Sequence, residues 1–177
     1  MSGALDGIRV LDLSTLVQGP QAAAMLHGLG AEVLKIELPE VGDMGRHVGV
    51  IDELGVSVFF VACNRGKRSV ALDLRTDGGK EAFLRLVETS DVVVSNFQPG
   101  TLEGWGLGYD DLAKVNPRII WAAGSFLGPT GHGCGWSYSV RECGGRRLGP
   151  VQIKEVEPFP AFKRPVRLHA PFLCRHP

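Results

Sequence analysis

The sequence predicts an α/β protein built on a Rossmann-like parallel sheet with flanking helices, followed by an irregular tail. Two observations predict this class. Short apolar runs rich in β-branched residues alternate with helix-forming stretches over the first 124 positions, and glycine or proline punctuates them. A repeated strand, helix, strand order implies right-handed crossovers, which place the strands parallel to one another.

Five runs are predicted as strands because each is short, apolar and bounded by turn residues. They are Ile8–Leu13, Glu32–Ile36, Ser69–Leu74, Asp91–Ser95 and Arg118–Ala123. In an open parallel sheet, ligands bind beyond the carboxyl ends of the strands. The loops that follow the first four strands are therefore the candidate binding site.

Four helices are predicted between these strands from composition and apolar spacing. They span residues 21–29, 56–63, 79–88 and 110–115. Gly19-Pro20 opens the first helix, because proline suits the first turn, and Gly28 and Gly30 end it. The third is amphipathic, with one apolar face formed by Ala82, Phe83, Leu86 and Val87.

The composition is that of a soluble globular protein, with 44% hydrophobic and 21% charged residues. A formal net charge of +0 gives no electrostatic reason to expect nucleic acid or an anionic membrane as a partner. The longest apolar run, Val56 to Cys63, is far too short to span a membrane, and no signal-peptide pattern opens the chain. We therefore expect a cytoplasmic protein with no membrane partner.

The four cysteines form neither a C-x-x-C pair nor a short-spaced framework, so no disulfide scaffold or zinc ribbon is predicted. We expect free thiols. The side chains beyond residue 130 that could bind zinc match no standard ligand spacing, so no metal is predicted. They are His132, Cys134, Cys143, His169, Cys174 and His176.

A change of composition divides the chain into a domain over residues 1–133 and a tail over residues 134–177. Residues 1–134 contain 11 Lys+Arg and 16 Asp+Glu, whereas residues 135–177 contain 8 and 3. Six of the eleven prolines also lie in the tail, too closely spaced for a long helix or a central strand. Only Val151–Val156 alternates in a strand-like way there, so we expect a poorly ordered segment.

Three loops carry candidate binding chemistry, each with a purely structural alternative. Ser14–Pro20 joins a strand to a helix amino terminus, whose N–H groups favour an anion or a developing oxyanion, or it is an ordinary turn. Asn64–Ser69 places three cations before a strand, for phosphates or simply as a solvated surface. Asn96–Gly100 offers an amide, an aromatic ring and a tight turn after the fourth strand.

Two glycine clusters do not match the nucleotide-binding motifs that they superficially suggest. Gly104–Gly108 lacks the G-x-G-x-x-G spacing and does not follow a first strand. Gly128–Gly131 lacks the Gly-Lys-Ser/Thr ending of a phosphate-binding loop. Neither NAD binding nor nucleotide hydrolysis is therefore predicted.

Taken together, these segments resemble the class III CoA-transferase family, which includes formyl-CoA and carnitine CoA-transferases and α-methylacyl-CoA racemase. The resemblance covers about residues 4–131. It is carried, in this order, by Leu5–Leu13, Gly19-Pro20, Leu29–Glu37, Gly42–Met44, Asn64–Leu74, Asp91–Gly100, Gly106–Tyr109 and Asn116–Ile120.

The resemblance implies that this part of the chain belongs to the large domain, which binds coenzyme A, and that intact relatives form interlocked homodimers. The substrates it implies are a CoA thioester and a carboxylic acid. Arg75 would suit the nucleotide phosphates, and Phe97 the adenine or the pantetheine arm. The implied coenzyme A contacts are Val17, Gln18, Leu72, Asp73, Leu74, Arg75, Asn96, Phe97 and Gln98.

The chain departs from the family pattern in three places. Leu38 and Gly104 stand where members often carry basic residues. In transferases of this family, an aspartate beyond the glycine-rich loop attacks the thioester, but no Asp follows Asp111 in this sequence. Because family chains are well over twice this length, we expect an incomplete sheet, no catalytic residue, and a truncated, inactive transferase.

Two other functions stay open: a non-catalytic CoA-binding or dimer-assembly fragment, and a racemase-like protein. A racemase needs a base beside the thioester α-carbon, and no such role can be assigned to His132 or His169. The composition change near residue 134 suggests, as a hypothesis, a shifted reading frame or a misjoined exon. Sequencing the coding region tests it, because an uninterrupted family-like frame would contradict it.

Overall fold

The structure, a computed structural model, describes residues 3–51, 55–125 and 137–141. Its main sheet has six strands, of which five are parallel and the sixth is antiparallel at one edge. A separate two-stranded antiparallel hairpin is formed by β3 (Val50–Ile51) and β4 (Val56–Ser57). The main sheet consists of β1 (Arg9–Asp12), β2 (Glu32–Glu37), β5 (Arg68–Ala71), β6 (Val92–Ser95), β7 (Ile120–Ser125) and β8 (Ser137–Arg141).

Helices connect these strands and cover both faces of the sheet. They are α1 (Gln18–Gly28), α2 (Val58–Asn64), α3 (Asp77–Glu88), α4 (Thr101–Gly104) and α5 (Tyr109–Val115), with a 3₁₀ turn at Met44–His47. In the described part of the chain, no helix combines the length and apolar character needed to cross a bilayer.

The predicted fold class is confirmed, and each of the five predicted strands is present. The helix expected over residues 56–63 begins later, because Val56–Ser57 pairs with β3 and the Ser57 hydroxyl caps the helix by accepting a hydrogen bond from the Phe60 N–H at 3.0 Å. Strand β8 was not predicted. The strand-like stretch Val151–Val156 lies outside the described residues.

Two apolar clusters hold the helices against opposite faces of the sheet. Alternating side chains of one strand enter different clusters: Val10 of β1 packs toward α1, and Leu11 packs toward α3 and α5. Phe83 and Val87 of α3 are fully buried on the second face. Burial of these side chains drives the sandwich of helix, sheet and helix layers.

The strand order β5-β2-β1-β6-β7-β8 places a topological switch point beside β1. From β1 the chain moves outward through β2 to β5, and then returns to β6 on the other side of β1. The loops that follow β1 and β6 therefore diverge, and a crevice opens between them at the carboxyl ends of the strands.

Candidate functional site

The two loops of the switch point are joined by one side chain. Asn96, directly after β6, accepts a hydrogen bond from the Thr15 N–H through Oδ1 and donates one to the Thr15 carbonyl through Nδ2, both at 2.8 Å. This pairing satisfies both backbone groups of Thr15. The loop after β1 therefore has a defined position relative to β6.

The first residue of α1 lies against β7. A Cβ atom built on Gly124 would lie 3.1 Å from the Gln18 Cδ and Oε1 atoms, so the missing side chain at Gly124 makes room for the amide. The Gln18 Nε2 atom is buried and has no hydrogen-bond partner in the described part of the chain. Such a donor costs free energy unless it meets an acceptor.

The amino terminus of α1 carries no side-chain cap. Val17 occupies the N-cap position and makes no capping hydrogen bond. The N–H groups of Val17, Gln18 and Gly19 have no acceptor within residues 3–51, 55–125 and 137–141. Unpaired N–H groups and the helix dipole together favour an anion or a developing negative charge at this point.

Glycine at position 19 allows α1 to start close to the preceding strand. A Cβ atom there would lie 2.2 Å from the Ser14 Cβ and 2.4 Å from its Oγ. Any larger residue must displace either the helix or the loop. The Gly19-Pro20 pair noted in the sequence is thus explained by packing at Gly19 and by the suitability of proline in a first turn.

Leu16 has a backbone conformation that non-glycine residues rarely adopt. Its φ is 65°, in the left-handed region. The side chains of Leu16 and Val17 are 37% and 42% exposed, so burial of these side chains does not enforce the conformation. Strain of this kind persists only when neighbouring contacts hold it.

A buried group of four charged side chains, which we call the ion cluster, lies beneath this loop. Lys35 Nζ lies 2.7 Å from the Asp43 carboxylate and 3.8 Å from that of Asp12, and Lys67 Nζ lies 2.7 Å from Asp12. Each of the four side chains is at most 2% exposed. Two carboxylates and two ammonium groups balance, which makes their burial tolerable.

The ion cluster also binds the backbone of the loop. Lys35 Nζ donates to the Ser14 carbonyl at 2.7 Å, and Asp43 Oδ1 accepts from the Leu16 N–H at 3.0 Å. Asp12 accepts from both the N–H and the hydroxyl of Ser14. Burial lowers the pKa of the Lys67 ammonium, although the charge of Asp12 opposes that shift.

Glu37 forms a second buried charge site beside the cluster. Its carboxylate accepts two hydrogen bonds of 2.7 Å from Arg46, one from the Ser69 hydroxyl at 2.5 Å and one from the Asp43 N–H at 2.9 Å. Burial acts to raise the Glu37 pKa, but the hydrogen bonds from these groups outweigh it and hold that pKa at about 2, below the ordinary 4.5.

The loop after β5 contains four of the sequence-predicted contacts. Leu72 extends the pairing of β5 with β2 by donating its N–H to the Glu37 carbonyl at 2.9 Å. Leu74 is buried in the core. The exposed Arg75 makes a two-point ion pair with Asp73, at 2.8 and 2.7 Å. Hydrogen bonds from Arg75 lower the Asp73 pKa to about 2.

The loop after β6 contains three more of the predicted contacts, Asn96, Phe97 and Gln98. Phe97 is half-buried and meets Trp105 edge to face, with ring centroids 5.6 Å apart and planes at 70°. Gln98 is exposed. The ring of Phe97 is therefore held in place by packing, while the amide beside it stays accessible.

The predicted contacts fall into two groups. Val17 and Gln18 follow the loop after β1, Asn96–Gln98 follow β6, and the hydrogen bonds between Thr15 and Asn96 join these two loops. Leu72–Arg75 lies after β5, two strands from β1, or about 10 Å away at the usual strand spacing. Only an elongated ligand could contact both groups.

The structure pairs two of the three cations of Asn64–Ser69, for which a phosphate role was considered, with acidic side chains of the same chain. Lys67 is buried against Asp12. Arg68 pairs with Glu32, the first residue of β2, and so lies at the opposite end of the sheet from the switch point. Pairing within the protein therefore occupies two of the three cations.

Sequence reasoning missed the ion cluster, although a signal was present. Asp12 and Lys35 share the strand face of Val10 and Val33 by twofold alternation, and they are direct partners in the sheet register. Charged residues on an apolar strand face indicate a buried pair. The described residues contain no group of three metal-binding side chains, and the six zinc-capable residues named above lie outside the described residues.

A doubly wound α/β sheet with polar loops at its switch point places the chain in the Rossmann-like class, whose members bind ligands at that point. The sequence profile of CoA-transferase family III matches residues 5–140. The chain belongs to this family, as the resemblance predicted.

Relatives of known name support the assignment. The chain is 44% identical over 127 residues to a succinyl-CoA–L-malate CoA-transferase beta subunit of Chloroflexus aurantiacus, which covers 72% of this chain and 31% of that protein. It is 37% identical over 162 residues to a formyl-CoA:oxalate CoA-transferase of Rhodopseudomonas palustris, covering 90% and 38%. Coverage of 90% carries this second alignment past the expected domain boundary near residue 134.

Solved structures give the same result. A crystal structure of Rv3272 from Mycobacterium tuberculosis superposes with a TM-score of 0.69 at 44% identity and covers 76% of this chain and 38% of that one. The chain thus spans about a third of the length of the relatives it matches.

Proposed function

We propose that this chain binds the coenzyme A moiety of an acyl-CoA in the switch-point crevice, as part of a protein that transfers CoA between an acyl-CoA and a carboxylic acid. The observation that carries the proposal is the group of unpaired donors at the start of α1. These are the buried Gln18 Nε2 and three backbone N–H groups, in a chain of family III. The names of the relatives specify CoA transfer.

The chemistry of a thioester suits these donors. A thioester carbonyl or a phosphate oxygen accepts hydrogen bonds, and attack on the carbonyl concentrates negative charge on its oxygen. Donors that are fixed before the ligand arrives need no reorganisation when that charge develops. The α1 amino terminus and Gln18 would therefore bind the reacting end of the molecule, or a phosphate, at the crevice.

The remaining predicted contacts suit the rest of coenzyme A. Phe97, positioned by Trp105, offers a ring edge or face to the adenine or the pantetheine arm. Arg75 would contact the nucleotide phosphates, which requires a phosphate to compete with Asp73 for its guanidinium. Leu72, Asp73 and Leu74 would line the part of the binding site near Arg75, and Val17 and Gln98 would line its opposite end.

Acyl transfer through a covalent intermediate needs a nucleophile, and the described residues do not identify one. The aspartate that the family resemblance places beyond the glycine-rich loop has no counterpart here, because no Asp follows Asp111. We propose accordingly that the 177-residue chain binds coenzyme A without forming a covalent intermediate. We also propose dimer formation, which the family resemblance implies, and a cytoplasmic location, which the composition suggests.

Isothermal titration of the purified chain with coenzyme A tests the proposal directly. We expect saturable binding that pantetheine, which lacks the nucleotide, reproduces only weakly. Arg75→Ala should weaken coenzyme A binding but leave pantetheine binding unchanged. Arg85→Ala, at an exposed position on α3, should change neither. Absence of heat with coenzyme A on a folded sample contradicts the function.

A second experiment separates binding from catalysis. The chain is incubated with an acyl-CoA, treated with hydroxylamine, and analysed by intact-protein mass spectrometry. Hydroxylamine intercepts a carboxyl group activated as an anhydride or a thioester. We expect no hydroxamate adduct on the protein. An adduct would show that a carboxylate of this chain is a nucleophile and would contradict the non-catalytic assignment.

A further inference from the structure

The loop that carries the proposed binding donors is held by side chains from three other elements. Lys35 of β2 binds the Ser14 carbonyl, and Asn96 after β6 binds both backbone groups of Thr15. Asp43, before the 3₁₀ turn, binds the Leu16 N–H. Three consecutive residues are therefore fixed individually, immediately before the N-cap of α1.

The conformation that these contacts maintain is unfavourable by itself. Leu16 has φ of 65°, which a leucine avoids because its Cβ crowds the backbone. Its side chain is 37% exposed and belongs to neither apolar cluster, so core packing does not offset this cost. The hydrogen bond from the Leu16 N–H to the buried Asp43 carboxylate can offset it.

Stability alone does not explain the ion cluster. Buried ion pairs are weak sources of stability, because removing charges from water costs about as much as their attraction returns. Here, however, each member has a second bond to the loop or to α1: Lys35 to Ser14, Asp43 to Leu16, and Lys67 to the Pro20 carbonyl at 2.7 Å. The ion cluster thus holds both the loop before α1 and the first turn of α1.

We propose that Asp43, oriented by Lys35, is a positioning residue that holds Leu16 in its left-handed conformation and thereby aims the donors of Val17 and Gln18 into the crevice. Turning Leu16 into an ordinary conformation would rotate the peptide that follows it and redirect both residues. Asp43 touches no ligand in this scheme. Only the measurement of coenzyme A affinity rests on the proposed function.

The test uses a rescue that a purely structural role would not give. Asp43→Ala should weaken coenzyme A binding about tenfold or more, as expected for loss of a charged hydrogen bond. Glycine adopts positive φ without strain. Adding Leu16→Gly to that variant should therefore recover most of the lost affinity. Equal affinity of Asp43→Ala and wild type, or no recovery in the double variant, would overturn the proposal.

Hydrogen exchange provides a readout that does not depend on coenzyme A. In Asp43→Ala the Leu16 and Thr15 amides should exchange at least tenfold faster, while the amides of Val10 and Val33 in the strands should keep their protection. Unchanged exchange at Leu16 would overturn the positioning role. If wild type fails to bind coenzyme A, the proposed function falls, but this measurement still decides the role of Asp43.

A milder substitution covers the case in which Asp43→Ala does not fold. Asp43→Asn keeps an oxygen for the Leu16 N–H but removes the charge that pairs with Lys35. We expect faster amide exchange at Leu16 and weaker coenzyme A binding, each by about threefold, because the hydrogen bond is weakened and not lost. Adding Leu16→Gly should again recover the affinity. Exchange and affinity both identical to wild type would overturn the proposal.

Discussion

Asn96 and Thr15 exchange a pair of 2.8 Å hydrogen bonds across the switch point of the sheet, side-chain amide to backbone amide. The pair joins residues 81 positions apart and connects the two loops between which the proposed ligand binds. This one side chain therefore restricts the positions that the loop after β1 can take.

Asn96→Ala should therefore lower both stability and ligand affinity. It leaves the N–H and the carbonyl of Thr15 without partners, which should cost about 1–3 kcal/mol in the free energy of unfolding. Asn116→Ala is the matched control, because the Asn116 side chain likewise makes two hydrogen bonds to the backbone, donating to the Val87 and Ser90 carbonyls, but far from the crevice. Urea titration and calorimetry should show similar destabilisation in both variants and reduced coenzyme A affinity only in the first.

Gln18→Met should have opposite effects on stability and binding. Methionine fills a similar volume and removes a buried donor that has no partner among the described residues. The free energy of unfolding should stay equal or rise by up to about 1–3 kcal/mol. Coenzyme A affinity should fall at least several-fold. A variant that loses stability and keeps its affinity would show that Gln18 has a structural role instead.

Gly19→Ala should destabilise the fold, because the new Cβ would lie 2.2 Å from the Ser14 Cβ. Overpacking of this kind typically costs about 1–3 kcal/mol. Gly28→Ala, at the other end of the same helix, meets no atom within 4 Å and should be neutral or stabilising by up to about 1 kcal/mol. Thermal unfolding of the two variants compares the sites directly; equal melting temperatures would contradict the packing argument.

The buried Glu37 predicts an acid-dependent loss of stability. Its pKa is about 2 in the folded chain, below the ordinary 4.5 of the unfolded chain. The folded state thus binds fewer protons in this range, so the contribution of Glu37 is complete above about pH 4.5 and declines as the pH falls toward 2.

Urea midpoints measured from pH 6 to pH 2 check this expectation. Glu37→Gln should be less stable than wild type at pH 6, because it loses the charged bonds to Arg46, and the difference should narrow as the pH falls. Glu88→Gln, at an exposed position on α3, should keep a constant offset. A difference that does not depend on pH would contradict the assigned pKa.

The sequence predicts the parallel sheet and its binding edge because both follow from local pattern. Alternating strands and helices impose the topology. Polar residues that follow a strand, either directly, as Asn96 does, or after a short loop, as Gln18 does, must lie at the carboxyl edge of the sheet. The pairing of Asn96 with Thr15 needed the strand order, which places β6 beside β1. No pattern within a single strand contains that information.

Other features depend on contacts between distant segments. The partnership of Asp12 with Lys35 depends on sheet register, and that of Lys67 with Asp12 on how α2 packs against α1. Strand β8 exists through its pairing with β7, since Ser137–Arg141 has no long apolar run of its own. The start of α2 was missed for a different reason: Ser57 is a recognisable N-cap within an otherwise continuous apolar run.

Strand β7 sets a lower limit on the length of any shortened version of this protein. Trp121 and Ala123 belong to the cluster under α3 and α5, Ala122 to the one under α1, and Gly124 leaves room for Gln18. A chain cut before Ile120 would expose both layers of apolar side chains along β6 and an unpaired strand edge, which favours aggregation. Expression trials for binding studies should therefore retain at least residues 3–141, which keeps β8 paired with the edge of β7.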